Sequence, residues 1–192
     1  FIGYAHRFGH NRAEGFADYV AYGREMGMEV VQNPVFELEG VNVSSTVCRR
    51  HVAAGEMEAA SRCLGYPYRM GGRVVAGFQE GRKLGFPTAN IQLADPRRLV
   101  PASGVYAVRV KIDDEATWRL GMMNIGTRPT FGGEKVSLEV HIFDFAGDLY
   151  GCQVEMAFLR RVREERKFAS PEELAAQLAR DKQTILDACC LS

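Results

Sequence analysis

The feature that most constrains the fold is the regular alternation of residue types in the segment KVSLEVHIFDF, residues 135–145. Successive side chains of a strand point to opposite faces, so this spacing predicts a β-strand with two different faces. The apolar face would carry Val136, Leu138, Val140 and Ile142, and the other face Ser137, Glu139, His141 and Phe143. Such a strand buries one face against a core, which favours a sheet or a barrel.

From Tyr66 onward, further segments have the same strand texture and are separated by turn residues. These segments are GRVVAG, GVYAVRVKID, WRLGMMNIG and CQVEMAFLRRV. The chain then closes with a predicted helix, in which Ser170 is the N-cap, Pro171 the first helical residue and Glu173 the partner in a capping box. Several strands and one closing helix predict a small β-barrel.

The part before Tyr66 has a different pattern of residue types and is predicted to be α/β. Helical periodicity runs through RAEGFADYVAYGREMG, where Gly27 is a natural stop. MEVVQNPVFEL is predicted to return as a strand, and TVCRRHVAAG and EMEAASRCLG as two short helices. The domain boundary is therefore predicted near residues 64–71, which divides the chain into domains 1–66 and 67–192.

Charge and composition exclude several classes of protein. Lys and Arg number 24, as do Asp and Glu, whereas a nucleic-acid binder usually has a basic excess. No apolar run approaches the roughly 20 residues of a membrane span, so we expect neither nucleic acid nor membrane as a partner. The five cysteines lack metal-type spacing, which predicts reduced thiols and a cytoplasmic location. The sequence does not indicate an oligomeric state.

The glycine-rich segment GFQEGRKLGFPTANIQL, residues 77–93, is the first candidate for chemistry. Glycine-rich backbone can approach phosphate oxygens closely, and a basic pair can neutralise a polyphosphate. Hydroxyl and amide oxygens suit Mg²⁺. The candidate nucleotide-binding residues are Gly77, Gly81, Arg82, Lys83, Thr88 and Asn90. From spacing alone, a surface hairpin whose Thr88 and Asn90 satisfy local backbone groups remains the alternative.

Glu139 is the second candidate. Glutamate is disfavoured in strands, so the position of Glu139 among apolar residues requires an explanation. It could be a general base that accepts a proton from an attacking hydroxyl, or one half of a cross-strand ion pair on a solvated face. His141 is interpreted as a packing or hydrogen-bonding residue rather than a metal ligand, because no second ligand stands at a useful spacing.

A family resemblance rests on six segments that follow one another in a fixed order, GRKLGFPTAN, SGVYAVRV, NIGTRPTFGG, LEVHIFDF, GDLYG and REERKFASPEEL. Together they resemble the riboflavin kinase module of bacterial bifunctional riboflavin kinase/FAD synthetases. The preceding segments GYAHRFGHNRAEGF and VNVSSTVCRR resemble the C-terminal part of the FMN adenylyltransferase domain of the same proteins.

This resemblance implies a fold and a reaction. The expected fold is an incomplete nucleotidyltransferase-type Rossmann-like α/β part, followed by a six-stranded Greek-key β-barrel with a C-terminal helix. The expected reaction is transfer of phosphate from MgATP to riboflavin, which gives FMN. Thr88 and Asn90 would hold Mg²⁺, the loop 77–85 would cover the phosphates, and Glu139 would activate the ribityl hydroxyl. Arg163 and Phe168 would line the flavin site.

The resemblance implies less for FAD synthesis by this chain. Ser44, Ser45 and Arg49 would lie near phosphates in an adenylyltransferase, although a simple helix N-cap explains the two serines equally well. The family usually has Asp or Asn where Ala5 stands, and the first nucleotide-binding motif of the family would precede Phe1. The resemblance implies FAD synthesis by the complete parent protein, although an alanine, which can neither accept a side-chain hydrogen bond nor hold a charge, counts against it, and no FAD synthesis is expected from this chain.

Two other functions stay open on residue chemistry. A non-catalytic barrel could bind a flavin or a nucleotide, since small barrels host many functions. An oligonucleotide-binding barrel is a weaker alternative, because the net charge is zero. Glu139 favours the kinase, since a binding module has no need of a base.

Overall fold

The structure is a computed structural model that describes residues 2–3, 14–38, 40–77, 84–130 and 133–190. The chain divides into two compact units, residues 1–44 and residues 45–192. The second unit carries the barrel and most of the predicted site residues.

The first unit contains a helix, α1 (Phe16–Glu25), and a two-stranded antiparallel sheet, β1 (Glu37–Leu38) and β2 (Val41–Asn42). The helix ends before Gly27, whose φ of 68° lies in the left-handed region that glycine adopts without strain. The strand predicted over residues 28–38 is shorter than expected. Gln32 forms only an isolated parallel bridge with Ile2, and nearby Pro34 has no N–H to extend the ladder.

The second unit is a closed antiparallel barrel flanked by helices. Its elements are α2 (Ser45–Ala54), α3 (Met57–Leu64), β3 (Arg69–Val75), β4 (Ala89–Leu93), β5 (Gly104–Ile112), β6 (Arg119–Thr130), β7 (Gly133–Ile142), β8 (Gln153–Arg163) and α4 (Pro171–Cys190). The strands neighbour one another in the order β3-β4-β7-β6-β5-β8, and β8 closes the ring onto β3. Because β5, β6 and β7 are consecutive neighbours and β8 returns beside β5, the connection is a Greek key. The predicted six-stranded barrel with a C-terminal helix is confirmed.

The barrel interior is filled by the apolar face that the alternation predicts. Leu138, Val140 and Ile142 of β7 are buried, as are the inward residues of β5, such as Tyr106 and Val108. Val136 departs from this pattern and is 46% exposed, because it lies near the beginning of β7. The alternation therefore predicts the inner face of β7 correctly over most of its length.

The outer face of the barrel is also partly buried, because α4 packs across it. Ile185 of α4 is fully buried in a second apolar cluster with Val105, Ala107, Met122 and Phe143. The face of β7 that carries Glu139 is thus partly buried, and Glu139 itself is half-buried. A predicted helix cap starts α4 and is confirmed. The Ser170 hydroxyl accepts a hydrogen bond from the Glu173 N–H at 3.2 Å, and the Glu173 carboxylate accepts one from the Ala169 N–H at 3.0 Å.

Helices α2 and α3 contribute to the same core as the barrel strands. Val52, Met57 and Ala60 are at most 2% exposed and belong to the apolar cluster that includes Tyr106 and Phe158. The boundary between residues 66 and 67 stays a prediction, but these two helices bury their apolar residues in the barrel unit.

Candidate active site

Glu139 and the segment at the start of β4 are brought together by strand pairing. Strands β4 and β7 are neighbours, and Asn90 lies directly opposite Glu139 in their register. The Thr88 hydroxyl is 3.4 Å from Glu139 Oε2, a long hydrogen bond. All three side chains are half-buried. A carboxylate, a hydroxyl and an amide thus converge at one place on the barrel wall.

These residues belong to a longer row of paired positions on the outer face of the barrel. The row consists of Val75, Asn90, Glu139, Asn124, Val105 and Arg163. Asn124 lies opposite Glu139 on β6, and residues opposite each other in a sheet have Cβ atoms about 4.5–5.5 Å apart. Asn124 is not among the site residues predicted from the sequence. The sequence feature that could have indicated this residue is its amide side chain between two apolar residues, Met123 and Ile125.

Gly77 belongs to the same group because its backbone contacts the Asn90 side chain. A Cβ atom added at Gly77 would lie 1.8 Å from Asn90 Nδ2 and 2.3 Å from its Cγ. No side chain fits at residue 77 unless Asn90 moves, so glycine at this position lets the amide lie against the backbone.

His141 holds the segment that leads into Thr88. Its Nδ1 lies 2.8 Å from the carbonyl oxygen of Pro87, and because a carbonyl can only accept, Nδ1 carries the hydrogen. Its ring lies edge-on to Phe86 at 5.4 Å and beside Phe143 at 5.6 Å. Burial lowers the pKa of His141, which favours the neutral ring. The predicted hydrogen-bonding role agrees with these contacts.

A cleft of about 870 Å³ opens beside this group. Its lining includes Gly77, Pro87, Thr88 and Asn90 as well as residues 145–150. Ligand clefts commonly have volumes of about 300–1,000 Å³, so the cleft can hold a molecule of nucleotide size. Three of the predicted nucleotide-binding residues line it, whereas Gly81, Arg82 and Lys83 lie outside the described residues.

Arg163 and Phe168 lie together at the far end of the row, against α4. The guanidinium of Arg163 forms a salt bridge with Asp181 at 2.9 Å, and Asp181 is 2% exposed. Arg163 also lies over the ring of Phe168 at 5.6 Å. Gln177 donates a hydrogen bond to the same carboxylate at 2.7 Å. This contact with Asp181 could not be found from sequence spacing, and the flavin-lining role of Arg163 and Phe168 stays a prediction.

The predicted adenylyltransferase residues lie at the start of α2 and directly before it. Ser45 is the first residue of α2, and Arg49 is exposed on the same helix. Ser44 ends the first unit, and Ala5 lies outside the described residues. Their role in adenylylation stays a prediction.

The donors at the cleft are compatible with a hard cation. Within the described ranges, no group of three or more His, Cys, Asp and Glu side chains could hold a metal ion. Mg²⁺ bound with a nucleotide does not require such a group, because phosphates and waters supply most of its oxygens. The hydroxyl of Thr88 and the amide oxygen of Asn90 are oxygen donors of the type this ion takes.

No helix in the described part of the chain is long and apolar enough to cross a membrane.

A family model matches most of the barrel unit. Residues 64–189 match the family model described as Flavokinase, riboflavin kinase. This range contains Thr88, Asn90 and Glu139, as well as the whole barrel and nearly all of α4.

Curated relatives are similar to the chain along almost its full length. It is 42% identical over 183 residues to the bifunctional riboflavin kinase/FMN adenylyltransferase of Escherichia coli K12, a match that covers 95% of this chain and 58% of that protein. The protein of the same description from Pseudomonas fluorescens is 44% identical over 181 residues, which cover 94% of this chain and 57% of the relative. The chain therefore spans less than two thirds of the length of these relatives.

A crystal structure described as a macrolide-efflux protein from Streptococcus pneumoniae has the same architecture. It has 37% sequence identity and a TM-score of 0.86, and the match covers 95% of this chain and 58% of that one. The role in its description differs from that of the curated relatives, and its similarity to this chain is one of sequence and fold.

Proposed function

The chain belongs to the riboflavin kinase family, and from that premise we propose that it transfers the γ-phosphate of ATP to the ribityl 5′-hydroxyl of riboflavin, giving FMN and ADP. The observation that carries this proposal is the contact of the Glu139 carboxylate with Thr88, at 3.4 Å, beside a cleft of nucleotide size. Phosphoryl transfer needs positioning, charge neutralisation and one group that orients the nucleophile. The group formed by Thr88, Asn90 and Glu139 has the side chains for each task.

Glu139 is the proposed general base. It would accept the proton of the 5′-hydroxyl as the oxygen attacks the γ-phosphorus, while the bond from that phosphorus to the bridging oxygen breaks. The half-buried position of Glu139 limits competing water. Asn124, directly opposite on β6, is placed to orient the carboxylate or a hydroxyl of the ribityl chain.

Thr88 and Asn90 are the proposed protein ligands of Mg²⁺ in the MgATP complex. When bound, the ion neutralises the charge that develops on the phosphate oxygens. The two side chains fix where the phosphates lie in the cleft, and Gly77 leaves room for the Asn90 amide to do so. Gly81, Arg82 and Lys83, which follow Gly77, are proposed to contact the phosphates. Arg163 and Phe168 are proposed to border the flavin site.

For the parent protein we propose a second activity, FMN adenylyltransferase, after the description of the relatives in Escherichia coli and Pseudomonas fluorescens. Ser44, Ser45 and Arg49 are the proposed remnants of that site in this chain. The proposed location is the cytoplasm, where ATP is available and where thiols such as Cys48, Cys63 and Cys152 stay reduced.

Phosphorylation can be measured directly on the purified chain. Riboflavin and ATP are incubated with the protein, with Mg²⁺ or with EDTA, and FMN is separated from riboflavin by chromatography while ADP is measured by a coupled assay. We expect equal amounts of FMN and ADP, formed only with Mg²⁺. Binding of flavin or nucleotide without any FMN would instead support the non-catalytic barrel.

A further inference from the structure

The segment that carries Thr88 is held in place by a side chain with no assigned role in the reaction. His141 is 8% exposed, and its Nδ1 donates a hydrogen bond of 2.8 Å to the carbonyl oxygen of Pro87. Its ring is packed between Phe86 and Phe143, with centroid distances of 5.4 and 5.6 Å. His141 therefore contacts both residues that directly precede Thr88.

These contacts restrict the backbone on the N-terminal side of Thr88. The pyrrolidine ring fixes φ of Pro87 near −65°, and the hydrogen bond from His141 fixes the direction of its carbonyl group. Since that carbonyl belongs to the peptide plane that Pro87 shares with Thr88, the plane cannot rotate freely. On the other side of Thr88, Ala89 enters β4 and pairs with Val140. Thr88 is thus held between two fixed peptide planes.

The residue that holds this segment lies on the strand that carries the carboxylate. His141 and Glu139 are two residues apart on β7, and side chains two apart in a strand point to the same face. The distance between the two positions is therefore set by one rigid element. Thr88, whose hydroxyl is 3.4 Å from Glu139 Oε2, directly follows the residue whose carbonyl group His141 binds.

We propose that His141 is a positioning residue, which places the Thr88 hydroxyl beside Glu139 and the cleft by fixing the carbonyl group of Pro87. This inference rests on the proposed function, in which Thr88 is a ligand of Mg²⁺. The ring itself does not touch substrate or metal in this role. It acts through the Pro87 carbonyl alone.

Three variants of His141 separate the hydrogen bond from the packing of the ring. His141→Phe keeps an aromatic ring between Phe86 and Phe143 and removes the donor. His141→Asn removes the ring but keeps an N–H donor at the place of Nδ1. His141→Leu has the branched shape of asparagine without its donor, so the comparison of Asn with Leu remains informative if the Phe variant does not fold.

The measurement is calorimetric binding of a non-hydrolysable ATP analogue, with Mg²⁺ and with EDTA, together with riboflavin binding and the thermal midpoint. Loss of one hydrogen bond corresponds to about a three- to tenfold change in a binding constant. We expect His141→Phe and His141→Leu to weaken binding of the Mg²⁺ complex by about that factor. Binding in EDTA and binding of riboflavin should change less than about twofold, and His141→Asn should retain most of the affinity.

A double-variant cycle adds a result that general destabilisation would not produce. If His141 acts through Thr88, His141→Phe should weaken binding of the Mg²⁺ complex much less in a Thr88→Val background than in the parent chain. The positioning role is overturned if the Phe and Leu variants bind the Mg²⁺ complex like the parent, if Asn loses as much as Leu, or if the two losses simply add. If the unsubstituted chain binds the ATP analogue equally well with and without Mg²⁺, the result would instead refute the role of Thr88 as a metal ligand in the proposed function.

Discussion

The hydroxyl of Thr88 lies 3.4 Å from the Glu139 carboxylate, although 51 residues separate them along the chain. Strand β4 pairs with β7 so that Ala89 lies opposite Val140 and Asn90 opposite Glu139, which places residue 88 against the C-terminal half of β7. This contact joins a candidate metal ligand to a candidate base, and each of the two can be altered separately.

Glu139→Gln should abolish most of the turnover while substrate binding changes little. Glutamine keeps the size and hydrogen-bonding reach of the side chain but cannot take a proton, and general-base contributions are typically about 10²–10⁴-fold. The measurement is kcat at saturating riboflavin and MgATP, with both KM values. Glu155→Gln is the matched control, because Glu155 is a strand glutamate whose ion pair with Arg69, at 3.4 Å, is exposed. If both variants turn over normally, Glu139 is not the base.

Thr88→Val and Asn90→Ala should each raise the Mg²⁺ concentration needed for half-maximal activity. Residues that only hydrogen-bond to metal ligands contribute about 10–100-fold to metal affinity. Loss of a direct ligand should therefore lower the affinity for Mg²⁺ at least about tenfold. The measurement is a Mg²⁺ titration of FMN formation at fixed total ATP. Thr184→Val is the control, since Thr184 is exposed on α4 and bonds only the Arg180 carbonyl oxygen in the described structure. Unchanged titrations in both variants would favour the surface-hairpin interpretation.

Gly77→Ala should impair use of MgATP because its new methyl group would overlap the Asn90 amide, 1.8 Å from Nδ2. We expect an effect similar in direction to that of Asn90→Ala, measured as kcat/KM for MgATP. In an Asn90→Ala background the same change should cost little, since the overlapping atoms are gone. Gly71→Ala is the control, because a Cβ there would meet only the Val154 carbonyl oxygen, at 3.8 Å. Full additivity of the two changes would contradict the contact.

Asp181→Ala should destabilise the fold, because it leaves the Arg163 guanidinium without its buried partner. Breaking a buried salt bridge on one side typically costs about 3–5 kcal/mol, measured as the free energy of unfolding in urea. Asp144→Asn is the control, since Asp144 pairs with Lys182 at 3.1 Å but is 83% exposed, and exposed pairs contribute roughly 0–1 kcal/mol. If the two variants lose equal stability, the buried pair of Arg163 and Asp181 contributes no more to the fold than an exposed pair.

A fragment that starts at residue 45 should be more stable than one that starts at residue 67, although both contain the candidate site. The shorter fragment loses Val52 and Met57, which are 2% and 0% exposed, and burial of each such side chain contributes about 1.5–3 kcal/mol. The comparison uses thermal midpoints and FMN formation by both fragments. Equal stability would show that the kinase domain begins after α3, as the sequence predicts.

Local features of the sequence determined the elements and which face of each is apolar. The alternation around Leu138 and Val140 predicts the inner face of β7, and Ser170 with Glu173 predicts the start of α4, because strand periodicity and helix capping depend on residues only a few positions apart. The choice of Thr88, Asn90 and Glu139 as site residues also came from local spacing, from residue chemistry and from a family resemblance.

Only the tertiary structure decided which of these elements meet. The pairing of β4 with β7 places Asn90 opposite Glu139, the pairing of β6 with β7 adds Asn124, and α4 brings Asp181 to Arg163. Neither the alternation nor the cap contains this information, because strand order depends on how the barrel closes and buries its apolar area as a whole. The chemistry of each side chain can therefore be read along the chain, whereas the site itself exists only where distant strands pair.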